Sequence, residues 1–338
     1  MDGEFSVLKP NQYEYIAELD KLLNLSKFSP IYSKRFFNYY SSIGANNYID
    51  LSRVIRYQGS PIIALVGCGQ LISGKSRLDY FGNPAILISS PNFDSVKVEQ
   101  ALDLLLTSLR KTNIPLPIEN KFPNSFAIKI NSPNIIEARL FNDLLKKSNK
   151  SFVAFSLRVK LDREIGLISE LFSKSVKESI RFKKMHEIDV EIIDEFKSEE
   201  MIESAMDQLK ILHHESAGRN TRSDESWRIQ TRQLMEGDAF ISHLIINGDV
   251  VSSAYFMKTN FDSYYGVSAS RRLKSKIPLS HLCVREAIFY SKQIGLQNLF
   301  LGHQYSYFSQ SITDKEKNIE KFKSFFGGVL SHEVVCEL

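Results

Sequence analysis

The sequence predicts an α/β or α+β fold made of two similar halves, and three observations carry that reading. Strand-like and helix-like segments alternate along the whole chain. Asn247-Gly248 lies between two apolar runs, 239–246 and 250–258, where a type I′ hairpin turn belongs. One pattern also occurs twice. It is a strand, a Gly-closed turn, a second strand, a third strand ending in two aromatics and a glycine, and then a long amphipathic helix.

In the first half, 11–23 and 33–40 read as short helices. Residues 52–57 and 61–67 read as strands around Gln58-Gly59. Further strands are expected over 76–81 and 85–89. Val98, Ala101, Leu102, Leu105 and Leu109 are spaced for a helix over 95–111. Another helix is expected over 134–147 and a strand over 152–159.

The second half opens with one long helix, about 161–186. Ile165, Ile168, Phe172, Val176 and Ile180 form its apolar stripe, and Lys174, Lys177, Arg181 and Lys184 form a basic one. A helix over 198–214 follows. Ser223 caps the next helix, with Asp224 and Glu225 in its first turn and Gly237 past its end. After the hairpin come a strand over 261–267, a helix from Pro278 to Ile294 stopped by Gly295, and a strand over 298–302. A helix near 316–326 and a strand over 329–335 end the pattern.

The repeated turns close at Gly59 and Gly248, and the repeated strand endings are Tyr80-Phe81-Gly82 and Tyr264-Tyr265-Gly266. Matched glycines stand 189 and 184 residues apart. A duplication with that offset places the boundary near the polar segment Lys160-Leu161-Asp162-Arg163-Glu164.

Composition narrows the function classes. Of 338 residues, 43% are hydrophobic and 24% charged, which suits a folded protein with a sizeable core. Net charge is +4, from 43 basic and 39 acidic residues, so nothing in the balance demands nucleic acid. Cys68, Cys283 and Cys336 are far apart and odd in number, which points to free thiols in a reducing compartment. The start, Met1 to Phe5, lacks a basic and apolar leader, and no apolar run is long enough to span a bilayer. The expected location is the cytoplasm, with peripheral attachment at the inner face of the membrane allowed.

Several segments carry possible chemistry. Gly69 to Ser76 satisfies the formal pattern of a phosphate-binding loop. Such a loop needs a helix after its Lys-Ser, and Arg77 to Phe81 reads as a strand, so a strand connection is the better reading. The stripe Lys177, Arg181 and Lys184 suits an anion such as a diphosphate. His213, His214 and Glu215 end a helix without the spacing of a zinc site, so no metal is expected there. A general base for an amine is the chemical alternative. Gly266 to Ser270 has the look of a nucleophile elbow but lacks its second glycine. Arg271, Arg272 and Lys274 precede a helix start, where phosphate can bind. In Lys321-Phe322-Lys323, two lysines flank an aromatic, and at least one of them faces solvent or a site.

Taken in order, these segments resemble the Fem-type (FemAB-like) aminoacyltransferases and their tandem GNAT-like relatives associated with envelope polysaccharides. The resemblance rests on Ser179 to Lys184 with Ile188-Asp189-Val190, Leu212-His213 with Arg219, Asn247-Gly248, and Tyr264 to Ser268. It continues with Pro278 to Gly295, Asn298 to Gly302 and Phe322 to Gly328. It implies two tandem GNAT-like domains, 1–160 and 161–338, each a mixed, mostly antiparallel sheet flanked by helices. It also implies direct transfer of an acyl or aminoacyl group to an amine on an amino sugar or a peptidoglycan precursor linked to a nucleotide or lipid diphosphate. Lys323 would stabilise charge on the reacting carbonyl, and His213, His214, Glu215 and His303 would be candidate bases. His303 would be presented by a loop after its strand. Tyr265 and Ser268 would orient the acceptor or protonate the leaving group, and Lys177, Arg181, Lys184, Arg219, Arg271, Arg272, Lys274 and Lys321 would bind substrate. The donor stays open among acyl-CoA, acyl carrier protein and aminoacyl-tRNA. The loop 271–276 has no glycine, which departs from a CoA site, and no long coiled-coil arm is present. The alternative is a catalytically silent GNAT-like binding or scaffold protein in an envelope-synthesis complex.

Overall fold

The structure is a computed structural model that describes residues 5–26, 30–43, 48–72, 75–81, 83–111, 125–130, 142, 144–146, 148–185, 188–271, 279–304 and 312–337. The first half contains β1 (Phe5–Leu8), α1 (Tyr15–Ser26), α2 (Lys34–Ser42), β2 (Ile49–Asp50), β3 (Arg53–Tyr57) and β4 (Ser60–Val66). It continues through β5 (Cys68–Ile72), β6 (Lys75–Asp79), β7 (Ala85–Ser89), α3 (Ser95–Arg110), β8 (Ser125–Ile130) and β9 (Lys150–Lys160). The second half contains α4 (Ile165–Glu170), α5 (Lys174–Met185), β10 (Ile188–Ile193), α6 (Glu199–Ala217), α7 (Asp224–Met235), β11 (Ala239–Ile246) and β12 (Asp249–Lys258). It ends with β13 (Asp262–Ser270), α8 (Leu279–Gln293), β14 (Asn298–His303), α9 (Asp314–Ser324) and β15 (Val329–Glu337).

Among the described residues these strands join into one mixed, mostly antiparallel sheet. Its main path runs β1-β3-β4-β7-β8-β15-β9-β14-β13-β12-β11-β10. The two ends of that path repeat each other. In each half three antiparallel pairings are followed by one parallel pairing, β7 with β8 and β13 with β14. The hairpin turns match as well: Gln58 and Gly59 have φ of 47° and 79°, and Asn247 and Gly248 have φ of 52° and 82°. Two successive positive φ values define a type I′ turn, and Gly and Asn tolerate them.

The middle of the path is an exchange. β15, last in the chain, pairs with β8 of the first half, while β9 pairs with β14 of the second half. β9 and β15 then pair with each other from Val329↔Arg158 to Glu337↔Lys150. This antiparallel ladder joins the two half-sheets without an edge between them.

Among the described residues three large cores follow from this layout, beside a small cluster of Ala154 and Val335 on the β9–β15 ladder. α3 covers one face of the first half-sheet, and α4, α5, α8 and α9 cover one face of the second. The third core is shared: Tyr15, Leu19 and Phe36 from the first half pack in one cluster with Leu209, Trp227 and Tyr255 from the second.

Two expectations need correction. The single helix over 161–186 is two helices, α4 and α5. Ser173 separates them because its N–H donates to the Phe325 carbonyl (2.8 Å) and its Oγ accepts from Val176 N–H (3.5 Å) as a helix start. The chain at Gly327 packs directly on Leu171, where the bend lies. The repeat of the third strand is also different. β7 is the counterpart of β13 by its pairings, and Tyr80 and Phe81 end an inserted hairpin, β5–β6. Phe81 sits in a turn at φ 51°. The helix expected over 134–147 lies outside the described residues except for 142 and 144–146, which are helical.

Candidate functional site

β13 and β14 run side by side for three residue pairs, Asp262↔Asn298, Ser263↔Leu299 and Tyr264↔Phe300, and their ladder ends there. β13 continues to Ser270 along β12, and β14 continues to His303 along β9. The strands therefore part beyond Tyr264 and Phe300. Irregularities fall on both at this place: one register shift lies opposite Tyr265 to Val267, and another lies between Phe300 and Gly302. A bulge adds one residue and reverses the side-chain alternation. Accordingly Tyr264 and Val267 both join the shared core, while Tyr265 faces the core under α8 and α9.

Lys323, on α9, reaches this parting. Gly302 has φ 95°, and a methyl group placed on it would lie 2.9 Å from Lys323 Nζ and 3.3 Å from Tyr264 Oη. The missing side chain is what lets the amine and the phenol approach one stretch of backbone. Burial lowers the Lys323 ammonium to about 8, against the opposing pull of Glu320. Lys321 is exposed. Tyr264 stands edge-on to Phe36 of α2 at 5.9 Å, so the first half borders the site. His303 is the next residue after Gly302. It is buried at the end of β14, not presented by a loop as expected.

The remaining expected site residues fall into separate groups. Tyr265 and Ser268 share a short hydroxyl hydrogen bond, and burial raises the Tyr265 phenol to about 12. Tyr265 packs against Phe256 and Phe322. A phenol held this high is a proton donor at neutral pH and not a base.

His213 and His214 lie against Trp227, at 5.4 and 6.5 Å between ring centroids. Arg222 stacks on the same indole at 5.4 Å and donates to the Tyr39 hydroxyl, linking α7 to α2. Burial, then Arg222, then His214 lower His213 to about 4, which keeps it neutral and able to accept a proton only weakly. Glu215 pairs with Arg271 at 3.4 Å, so an expected base and an expected phosphate ligand neutralise each other. Arg219 is exposed beyond the left-handed cap Gly218.

Lys174, Lys177, Glu178 and Arg181 line an open hollow of about 240 Å³ on α5. Lys184 is exposed further along the helix. Arg272 and Lys274 lie outside the described residues. Lys75 lies in β6, antiparallel to β5, so no helix follows the formal phosphate-loop pattern. Among the described residues no three His, Cys, Asp or Glu side chains gather closely enough to hold a metal, and no helix is long and apolar enough to cross a membrane.

Sequence reasoning named Lys323 and His303 but missed Tyr264 and Gly302. A signal was present: a glycine closing the apolar run Asn298 to Leu301 marks a close backbone approach.

No protein-family model matches the chain, and no curated protein matches it in sequence. Solved structures match it over nearly the whole length. FemX superposes with a TM-score of 0.62 at 12% identity, over 97% of this chain and 96% of its own. L-PGS from Bacillus licheniformis gives 0.56 at 9% identity, over 97% and 94%. The C-terminal domain of a candidate lysylphosphatidylglycerol synthetase from Agrobacterium fabrum gives 0.55 at 10% identity, over 95% and 91%. At such identities the likeness is one of fold, and it is the fold that the sequence resemblance implied.

Proposed function

We propose that this chain is an N-acyltransferase or aminoacyltransferase. One observation carries the reading: a half-buried lysine, Lys323, held at about 8 against the Gly302 backbone where β13 and β14 part. In this reading an extended acyl arm would lie between strands whose ladder has ended, with its carbonyl beside a fixed cation. The acceptor amine attacks the acyl carbon, and the C–N bond forms. The bond to the donor oxygen or sulfur breaks, its electron pair leaves with the donor, and the amine releases a proton.

Charge grows on the carbonyl oxygen during this step. A preplaced ammonium stabilises it without reorganisation, and losing one such donor typically costs about 10²–10³ in kcat. A group at about 8 is mostly protonated at neutral pH, as that role requires. Tyr264 borders the same point and would orient the carbonyl or the leaving group.

The donor in this reading is acyl-CoA, an acyl carrier protein or aminoacyl-tRNA. The fold shared with a candidate lysylphosphatidylglycerol synthetase supports an aminoacyl cargo. The acceptor is an amine on an amino sugar, or on a peptidoglycan or other cell-envelope glycan precursor, carried on a nucleotide or lipid diphosphate. The hollow at Lys177 and Arg181 supplies cations for those phosphates.

The test is turnover with each donor class and a UDP-linked amino sugar. Lys323→Met is expected to lower kcat at least a hundredfold with little change in KM. Wild-type activity should fall as pH rises through 8. A rise through 8 would make Lys323 a base, and full activity in Lys323→Met would remove it from the site. Saturable binding of these ligands with no turnover would assign the chain the scaffold role instead.

A further inference from the structure

Helix α4 turns leucines outward. Leu167 is 51% exposed, and Leu171, the residue just past the helix end, is 47% exposed. Val329 and Leu330, each 39% exposed, follow Gly327, which packs on Leu171. Exposed apolar side chains are ordinary when single, and a contiguous group marks an interaction surface.

The basic hollow adjoins this ridge. Lys177 Nζ donates to the Glu170 carbonyl at 2.8 Å, one residue before Leu171. The hollow adds Lys174 and Arg181 to it, and Arg181 and Lys184 are exposed. Lys174 bridges Glu178 only loosely, at 3.8 Å with both side chains open to solvent. Apolar side chains flanked by long basic ones are the arrangement of a bilayer interface, where leucines enter the acyl boundary and cations meet phosphates.

We propose that the α4–α5 corner docks this protein on an anionic lipid bilayer. Charge complementarity selects that occupant: exposed Lys174, Lys177, Arg181 and Lys184 outnumber exposed Glu170 and Glu178 beside the apolar side chains, which favours negative head groups. The corner also adjoins the candidate site, because Ser173 N–H donates to the Phe325 carbonyl, two residues along from Lys323. The inference rests on the proposed function at one point and deepens it: the hollow given there to acceptor phosphates would lie at the bilayer that carries a lipid-linked acceptor. Docking itself is measured with no donor or acceptor present.

The experiment is cosedimentation of the full chain, at 0.1 M salt, with vesicles of phosphatidylcholine alone or with one third phosphatidylglycerol. Binding is expected only to the anionic vesicles. The pair Lys177→Glu and Arg181→Glu should weaken it roughly thirtyfold. The pair Leu167→Ser and Leu171→Ser should weaken it about tenfold or more. If Leu171→Ser unfolds the corner, Leu167→Asp alone makes the same test from an exposed position. Absence of binding to anionic vesicles overturns the proposal, as does full binding in either pair. A chain that turns over soluble substrate yet ignores vesicles would lose this inference and keep the transferase reading.

Discussion

A glycine decides where the amine of Lys323 rests. Gly302 combines a positive φ with two polar atoms at the place of a side chain, so Gly302→Ala meets backbone strain and a clash together. The expected cost is about 1–3 kcal/mol of stability, read by chemical denaturation, with activity lost through displacement of Lys323. Lys323 itself is held at a disadvantage. Its folded-state pKa lies below its unfolded one, so burying the charged form opposes folding at neutral pH. That penalty is present below about 8 and is relieved as pH rises towards the unfolded value. Lys323→Met should therefore raise stability at pH 7 by on the order of 2 kcal/mol. Between pH 8 and 10.5 the wild type should gain stability and the variant should not. A variant both less stable and less active would mean that the lysine is structural. Lys323 was legible in the sequence because a lysine inside an aromatic run has no core role. Tyr264 was not, because a bulge at the neighbouring Gly266 decides which of two adjacent tyrosines faces the amine.

Helix ends were read well where a single side chain sets them. Ser223 caps α7 by accepting from Ser226 N–H. The box Thr313–Glu316, which the reading of a helix near 316–326 did not use, starts α9 at Asp314. Ser223 also does something no local rule shows: its hydroxyl donates to the Ser42 carbonyl at the end of α2. Together with Arg222 on Tyr39 and Gln233 on the Arg35 carbonyl, it binds α2 of the first half to α7 of the second. Ser223→Ala should cost about 1–2 kcal/mol, the upper range for a cap, and should increase hydrogen exchange in α2 as well as α7. Exchange confined to α7 would reduce Ser223 to an ordinary cap. The break between α4 and α5 was missed for the same kind of reason. The apolar stripe runs through Ile168, Phe172 and Val176 at helical spacing, and the hydrogen bond at the break goes from Ser173 N–H to the carbonyl of Phe325, far along the chain.

At the scale of the whole molecule, the exchange of β9 and β15 makes each half depend on the other. We read the repeat units as 1–160 and 161–338, yet the strand ending at Lys160 pairs with β14. A fragment 148–338 should thus unfold cooperatively, while 161–338 should lack a folding transition in circular dichroism, having lost the strand between β14 and β15. If 161–338 folds as well as 148–338, the exchange is dispensable. The sequence by itself determined the kind and order of most elements, the type I′ turn at Asn247-Gly248, the turn at Gln58-Gly59 and the mixed helix–strand class. Those features depend on side-chain periodicity and on residues that tolerate positive φ, which act over a few positions. Only the tertiary structure decided that β9 and β15 cross between halves, that one large core is shared by both halves, and that Lys323, Gly302 and Tyr264 meet. Strand partners and the approach of distant side chains depend on how whole faces bury against each other, and no spacing along the chain encodes that choice.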